Sequence, residues 1–567
     1  MEKRSLKRFL KVFFNSPVIL AVFALIFLVY RSWFTVWGTL SSGDWPYLFK
    51  ETVYVWPLIP SDGYLWIEIY YRVTTDLGIK LLGLSWELIE RIFWYLPFLI
   101  FSLISSYLLG RWLFQKIIKN SQYRVLSAVT SLIYTTNTYI LMVVGGGQIG
   151  VALAYALSPL VFLSLINSPT EKNRKKAKFW LLPIIVTALQ LMFDPRVFIL
   201  TLVLTAAGIL FLFTGNSNLL REKISANLKI LLGALLLNSY WIISNLTIYR
   251  EQYREATDQI TLAYFSFATF SNTLSLLHPN WPENIFGKIY FMKAPFLVIP
   301  ILAFLGFLFS KKRLSRNLWF SETKIICFWG FVALLGAFLA KGVQPPLPQV
   351  YFLLSKIPGF YAYRDPTKFY LFTALAYSIL IPWSLFRLAK ASNKILIRLK
   401  MSGFNKLAFN LILLGGILVW ALLIKPAWLG QIKGTFKPKT VPRAYLSYKD
   451  FILDKPEGTV SLWIPRRQRF GFYAENYPAL ESETIWGQLK PEEIRETLTN
   501  SEGRKLLEEM GVNFIIIPSD AEGEIFQEDR RYSPQKRQQY LQVLDQLANL
   551  ERIDLPALEN LAVWRLK

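Results

Sequence analysis

Few residues in this chain could do chemistry, and most of them are acids or bases placed just beyond apolar runs. Asp44 stands in "SSGDWPYLF" (41–49), directly after the first long apolar run. Gly43 lets the chain turn tightly there, and Trp45 and Tyr47 are expected to anchor the turn at lipid-headgroup depth. A carboxylate held in such aromatic surroundings tends to have a raised pKa, which suits a general base or a metal ligand. Glu51, Asp62 and Asp76 lie in the same loop and read as solvated loop acids, and Asp194 falls at a loop tip. In "GFYAYRDPTKF", Arg364 and Lys368 flank Asp365 immediately before another apolar run. A guanidinium there can grip a phosphate bidentately with the ammonium as a second contact. The alternative is an Arg364–Asp365 turn pair plus an interfacial lysine. Arg196 in "FDPRVF" makes a similar, weaker case. Arg466, Arg467 and Arg469 in "WIPRRQRF" read as basic surface, with a sugar- or polyanion-binding role as the alternative.

Several classes of chemistry are excluded or poorly supported. There is no P-loop, and "GGGQIG" (145–150) lacks the strand–turn–helix context of a dinucleotide site. One His and one Cys cannot build a typical zinc site. A Ser–His–Asp hydrolase would have to use His278 in "LLHPNWPENIF", and no nucleophile-elbow motif accompanies it. The sequence names no cofactor and leaves the metal unknown, with a divalent cation open. The single Cys327 allows no intrachain disulfide.

The elements that must position these residues are apolar helices. Of 567 residues, 53% are hydrophobic, the chain holds 19 Trp and 43 Phe, and the mean hydropathy is +0.34. That balance is ordinary for a polytopic membrane protein and rare in a soluble one. The formal charge is +25, from 63 Lys+Arg and 38 Asp+Glu; residues 430–567 hold 20 and 21 of these. The basic excess therefore belongs to the membrane part, which argues for cytoplasmic anchoring charges and against nucleic acid. Spans of about 20 apolar residues are predicted near 14–34, 92–114, 125–144, 149–166, 179–193, 197–214, 228–246, 294–310, 322–341, 367–388 and 406–424. The 179–214 stretch reads either as two spans or as a re-entrant hairpin. The first run has a basic start but no cleavage site, so it reads as an uncleaved span. Lys116, Lys119 and Arg124, then "EKNRKKAK" (171–178), Arg221 and Lys223, "KKRLSR" (311–316) and "RLAKASNKILIRLK" (387–400) fall in alternate loops. This positive-inside pattern predicts a cytoplasmic N-terminus and an extracytoplasmic C-terminus.

The expected domains are a membrane unit over 1–429 with a catalytic outer loop at 35–91, a linker at 430–440, and a soluble α/β unit over 441–567. Residues 64–83 are expected to form an amphipathic helix lying in the interface. In the soluble unit "GTVSLWIP", "VNFIIIP" and "LENLAVWRL" read as strands. "PEEIRETLTNSEGRKLLEEMG" reads as one helix and "SPQKRQQYLQVLDQLANL" as another, starting at Pro491 and Ser533.

The chain resembles the C-superfamily (GT-C) of membrane glycosyltransferases. Within it, the chain is similar to bacterial proteins related to α-(1→3)-arabinofuranosyltransferases. The residues that carry the resemblance are "SGDWP" after the first span, "TNTYILMVVGGGQIGVALAYALSPL" (136–160), "LLNSYWIIS" (236–244) and "IPGFYAYRDPTKFYLF" (357–372). "GVNFIIIPSDAEGEIFQEDRRY" (511–532) is similar to the C-terminal domain of related long bacterial membrane proteins. The resemblance implies a GT-C-like fold of about 11 spans with a small extracytoplasmic α/β domain, placed in the plasma (inner) membrane. It implies an enzyme that moves a sugar from a polyprenyl-phosphate donor to a cell-envelope glycan or lipid acceptor at the outer face. Asp44 would be the catalytic acid/base residue, and Arg364 and Lys368 would meet the donor phosphate. Asp62, Gln148, Arg196, His278 and Asp365 are accessory candidates. Many relatives carry two adjacent acids in the first outer loop where this chain has "GDW" alone, which puts metal dependence in question. A flippase for lipid-linked glycans and a non-catalytic scaffold stand as the alternatives.

Overall fold

A computed structural model describes residues 16–52, 67–118, 121–169, 178–213, 215–248, 259–277, 294–309, 322–400, 404–487, 490–518, 534–553 and 561–567. The chain is a polytopic α-helical membrane protein with a small C-terminal α/β unit. Helices lie on all eleven apolar windows. They are α1 (Pro17–Tyr30), α3 (Trp86–Ile117), α4 with α5 (Gln122–Thr136 and Thr138–Gly145), α6 (Ile149–Ile166), α7 (Lys178–Phe193), α8 (Pro195–Phe213), α9 (Ser217–Leu237), α10 (Val298–Leu308), α11 (Glu322–Ala340), α12 (Tyr370–Arg398) and α13 (Asn405–Leu423). Among the described residues, six helices are long and apolar enough to cross a bilayer alone, and the bent α4–α5 pair would make a seventh.

Their burial ranks them. In the apolar window that includes α12, 94% of residues are buried, against 28% in α13, so α12 is the axis of the bundle and α13 faces lipid. Small residues and hydroxyls allow the close packing that lipid cannot drive by hydrophobicity. Ser105 Oγ donates to Ala156 O at 2.5 Å, and Thr373 Oγ1 to Ala333 O at 3.1 Å. Gln190 sits at full burial inside α7 because its amide donates to Ala154 O, Ser158 Oγ and Thr201 Oγ1.

Three expectations need correction, and the open reading of 179–214 is sharpened. The 125–144 window is not one straight span; it bends by 43° between Thr136 and Thr138. Asn137 adopts an extended backbone there, accepts Ile140 N–H as an N-cap and donates to Ile133 O and Tyr134 O. The second apolar helix starts at Trp86, so Glu90 and Arg91 lie within it rather than before it. Their burial is tolerated because Arg91 donates to the carbonyls of Trp33, Val36, Gly38 and Glu87 and pairs with Glu90 at 3.3 Å. The 179–214 stretch forms two helices, with the break at Asp194. In the soluble unit, the first helix is two, α15 (Pro491–Thr499) and α16 (Ser501–Glu509). Asn500 caps the second through Gly503 N–H at 2.6 Å, which ends the first.

Residues 67–82 partly meet the interfacial expectation. Helix α2 (Glu68–Thr75) runs into a π-helical turn, Asp76–Leu81. Tyr71, Thr74, Thr75 and Gly78 face the protein while Ile69, Val73, Leu77 and Leu81 are exposed along the other side. An apolar stripe of that kind is suited to the edge of a bilayer.

The soluble unit begins with α14 (Arg443–Leu453) and is built on a five-stranded sheet of order β2-β1-β3-β5-β4. Strands β1 (Val460–Trp463), β2 (Ala479–Glu481) and β3 (Val512–Ile517) are parallel. Strands β4 (Leu550–Arg552) and β5 (Ala562–Leu566) add an antiparallel edge. Both faces are covered: α15, α16 and α17 (Pro534–Asp545) pack on one, and α14 with the 470–474 segment on the other. The continuous apolar runs of β1 and β3 reflect that double burial. Residues 432–436 are not a free tether. Ile432, Thr435 and Phe436 are buried, Trp33 Nε1 donates to Thr435 O at 3.1 Å, and Thr435 Oγ1 donates to Val144 O at 2.9 Å.

Candidate functional site

The connections that follow α1, α5, α7, α11 and α13 meet at one end of the bundle, against the soluble unit. Asp44 is at their centre. Its turn is closed by Trp45 N–H donating to Ser42 O at 3.0 Å, and Asp44 N–H donates to Gly146 O at 2.9 Å. Two glycines let these turns interlock. Gly43 has φ +61° and Gly147 φ +79°; a Cβ on the first would lie 2.1 Å from Gly146 O and on the second 2.3 Å from Ser42 O. Only glycine fits either place.

Trp45 and Tyr47 do not anchor this turn in lipid. Trp45 is buried among Trp86, Trp94, Tyr71 and Tyr95, and its Nε1 donates to Glu90 Oε2 at 2.9 Å. Tyr47 packs its ring against Phe470 of the soluble unit. Glu90 also accepts Leu40 N–H at 2.7 Å. The aromatic side chains are used to brace the turn from inside the protein, because the loop is roofed by the C-terminal unit and α2.

Asp44 is an exposed residue, yet desolvation by surrounding protein is the largest influence on its acidity and raises its pKa. Four partners act in the opposite direction: a hydrogen bond with the Gln148 side chain and the charges of Lys368, Arg469 and Arg196. The result is a carboxyl group poised above the usual range, in a site whose net local field is positive.

Two of those cations come from Asp–Pro helix starts. Arg196 lies in the first turn of α8, behind Asp194. Asp194 accepts Arg196 N–H at 2.8 Å, Val197 N–H at 3.1 Å and Arg196 Nη2 at 2.6 Å. Burial would raise the Asp194 pKa, but the Arg196 charge and these hydrogen bonds hold it below the usual carboxylate range. Lys368 lies in the short 3-10 turn Pro366–Phe369 that leads into α12, and Asp365 caps that turn through Thr367 N–H. Lys368 Nζ reaches Asp365 Oδ2 and Thr367 Oγ1, each at 3.2 Å. Tyr363 ties the two starts together, donating to Arg196 O at 2.9 Å.

No protein-family model matches the chain, and no curated protein matches it. Among solved structures, that of ArnT from Cupriavidus metallidurans in the apo state is similar over 97% of both chains, with 12% sequence identity and a TM-score of 0.47.

Of the residues singled out from the sequence, Asp44, Gln148, Arg196 and Lys368 come together here, with Asp365 holding Lys368. Arg364 takes another setting: its guanidinium lies over the rings of Tyr361 and Phe265, 4.6 and 5.6 Å from their centroids. Asp62 and His278 lie outside the described residues. Among the described residues, no three His, Cys, Asp or Glu side chains are grouped as a metal site. Two participants escaped the sequence reading. Glu90 falls at the end of the expected 35–91 loop, where only its charge beside an apolar run could have marked it. Arg469 was read as basic surface; it instead donates to Gly43 O and Trp45 O.

Proposed function

We propose that this chain is a C-superfamily glycosyltransferase that takes a sugar from a polyprenyl-phosphate donor and passes it to an acceptor hydroxyl at the extracytoplasmic face. The observation that carries the reading is the meeting of one solvent-reachable carboxylate with three cations at the junction of membrane and soluble units. The motifs of the sequence resemblance, "SGDWP", "GGGQIG" and "RDPTKF", converge on that point. Basic residues such as Lys116, Lys223, Lys390 and Lys394 lie toward the opposite ends of their helices, which supports a cytoplasmic N-terminus.

In this reading the acceptor oxygen attacks the anomeric carbon while Asp44 takes its proton. The bond from that carbon to the phosphate oxygen breaks, and its electron pair leaves with the lipid phosphate. Lys368 meets the charge that develops there, and Arg196, held by Asp194, adds a fixed positive field. Arg364 is the weaker phosphate contact, because its guanidinium is already engaged with two aromatic faces. The raised pKa of Asp44 makes it a better proton acceptor near neutral pH than an ordinary carboxylate. The donor's isoprenoid tail reaches the site from the lipid beside α2. The acceptor is a glycan or glycolipid of the cell envelope, and the transferred group is a hexosyl or pentosyl unit.

The deciding experiment combines mass spectrometry of co-purifying lipids with a turnover assay on a panel of polyprenyl-phosphate sugars. A bound donor and turnover that disappears in Asp44→Asn support the reading. Full turnover in Asp44→Asn, or transbilayer movement of a lipid-linked glycan without transfer, sinks it.

A further inference from the structure

Arg469 comes from the soluble unit, in the 464–478 connection between β1 and β2, yet its guanidinium is spent on the membrane unit. Nη1 donates to Trp45 O at 2.5 Å and Nη2 to Gly43 O at 2.8 Å. These are the carbonyls on either side of Asp44. The Gly43 carbonyl belongs to the same peptide group as the Asp44 N–H, which donates to Gly146 O. A single planar fork therefore grips both flanks of the turn and polarises the amide that docks it on the 145–148 turn.

The contact is held in register from both sides. Phe470, next in sequence, packs its ring on Tyr47 at 5.3 Å, and Phe472 packs on Phe49 at 5.6 Å. Lys449 of α14 pairs with Glu51 at 3.5 Å. Thr39 and Lys439 form an isolated antiparallel bridge. The first outer loop is thus packed into the soluble unit's own aromatic cluster, with Phe49 a member of it.

We propose that Arg469 is a positioning residue for Asp44, and that through it the C-terminal unit completes the reactive site of the membrane unit. The proposal rests on the reading of Asp44 as the base. The fork fixes the direction of the carboxylate, while its charge joins those of Lys368 and Arg196, and the Gln148 hydrogen bond, in opposing the effect of burial on that carboxyl group. Lysine can restore the charge but not the planar fork that meets the two carbonyls from two separate nitrogens.

The test uses the full chain in lipid nanodiscs and needs no donor. One readout is the pH dependence of Asp44 modification by a water-soluble carbodiimide with glycinamide, mapped by peptide mass spectrometry. The other is hydrogen exchange of the Asp44 peptide amide. Arg469→Gln is expected to move the modification midpoint upward by roughly half a pH unit or more and to speed exchange about tenfold or more. Arg469→Lys is expected to keep the midpoint and still speed exchange. Arg467→Gln, in the same segment but hydrogen-bonded to Gly471 O, is the control in which neither changes. Unchanged midpoint and exchange in Arg469→Gln overturn the proposal. If that variant does not fold, unchanged exchange in Arg469→Lys overturns it alone. Where turnover is measured, kcat falls in Arg469→Gln with the donor KM kept. Turnover retained in Asp44→Asn would defeat the functional reading while leaving both donor-free readouts as they stand, so the two failures are separable.

Discussion

The two Asp–Pro helix starts present the same short motif to the same carboxylate and solve it differently. At Asp194–Pro195 the anion is almost sealed, with 2% of its side chain accessible, and Arg196 closes on it at 2.6 Å. At Asp365–Pro366 the anion is 28% accessible, and the ammonium of Lys368 lies 3.2 Å away. Arginine's planar fork matches a buried carboxylate and stays locked to it, whereas lysine's compact charge on a flexible stem can be drawn toward another anion. The first start is built to hold its shape. The second covers its cation instead, with 5% of the Lys368 side chain accessible against 25% of Arg196, and leaves its anion toward water.

The sharpest way to break this comparison is to remove the group both starts face. Asp44→Asn should cost roughly 10²- to 10⁴-fold in turnover with folding intact, since the turn's backbone contacts are kept; a rate within a fewfold of wild type would leave both cations without a role. Next, Asp194→Asn leaves Arg196 beside a neutral group. Breaking such a pair should lower stability by about 2–3 kcal/mol, with Arg196 partly screened by water, while Asp365→Asn, which leaves the covered Lys368 with the Thr367 hydroxyl, should cost less, about 1–2 kcal/mol. Equal losses in thermal unfolding would erase the distinction. The sign with pH follows: the Asp194 pKa is depressed on folding, so its contribution is present above the ordinary carboxylate range, around pH 4. It is lost as pH falls through the folded value, and Asp194→Asn should remove that part of the acid sensitivity.

A smaller effect concerns ligand binding. Lys368→Met should weaken retention of the polyprenyl-phosphate donor about 10- to 100-fold, the size of a lost charge-assisted contact. Arg364→Gln should change it by less than roughly threefold; the reverse order, read by native mass spectrometry, would exchange their roles. The smallest is Gln148→Leu. The Gln148 hydrogen bond lowers the Asp44 pKa, so its loss should raise that pKa and move the acid limb of the rate profile to higher pH. A downward move would mean that Gln148 favours the protonated carboxyl.

Much of the architecture was legible because bilayer thickness imposes a length on apolar runs. Each of the eleven windows carries a helix, including the α7–α8 pair whose separation at Asp194 was open in the sequence. Strands β1, β3 and β5 of the soluble unit were legible for a related reason, since runs such as "LWI" and "FIII" are apolar on both faces; the three-residue β2 and β4 were not. The bend at Asn137 was not, because an asparagine between threonines is equally at home on a straight helix facing a neighbour. Nor was the placement of Trp45, whose amphipathic ring suits a headgroup as well as a protein interior; only the roof formed by the soluble unit decides between them.

The site divides in the same way. The sequence by itself determined that Asp44, Arg364 and Lys368 stand beside apolar runs, and that Asp194 and Asp365 precede prolines, since type and spacing are local properties of the chain. Tertiary structure alone decided which of them meet. It brought Gln148, Arg196 and Lys368 to Asp44, turned Arg364 onto aromatic rings, and recruited Arg469 across 424 positions to Trp45. The physical reason is that hydrogen bonds and charge interactions act over a few ångströms of space. No spacing in a linear sequence records which helix ends and which domain will share those few ångströms.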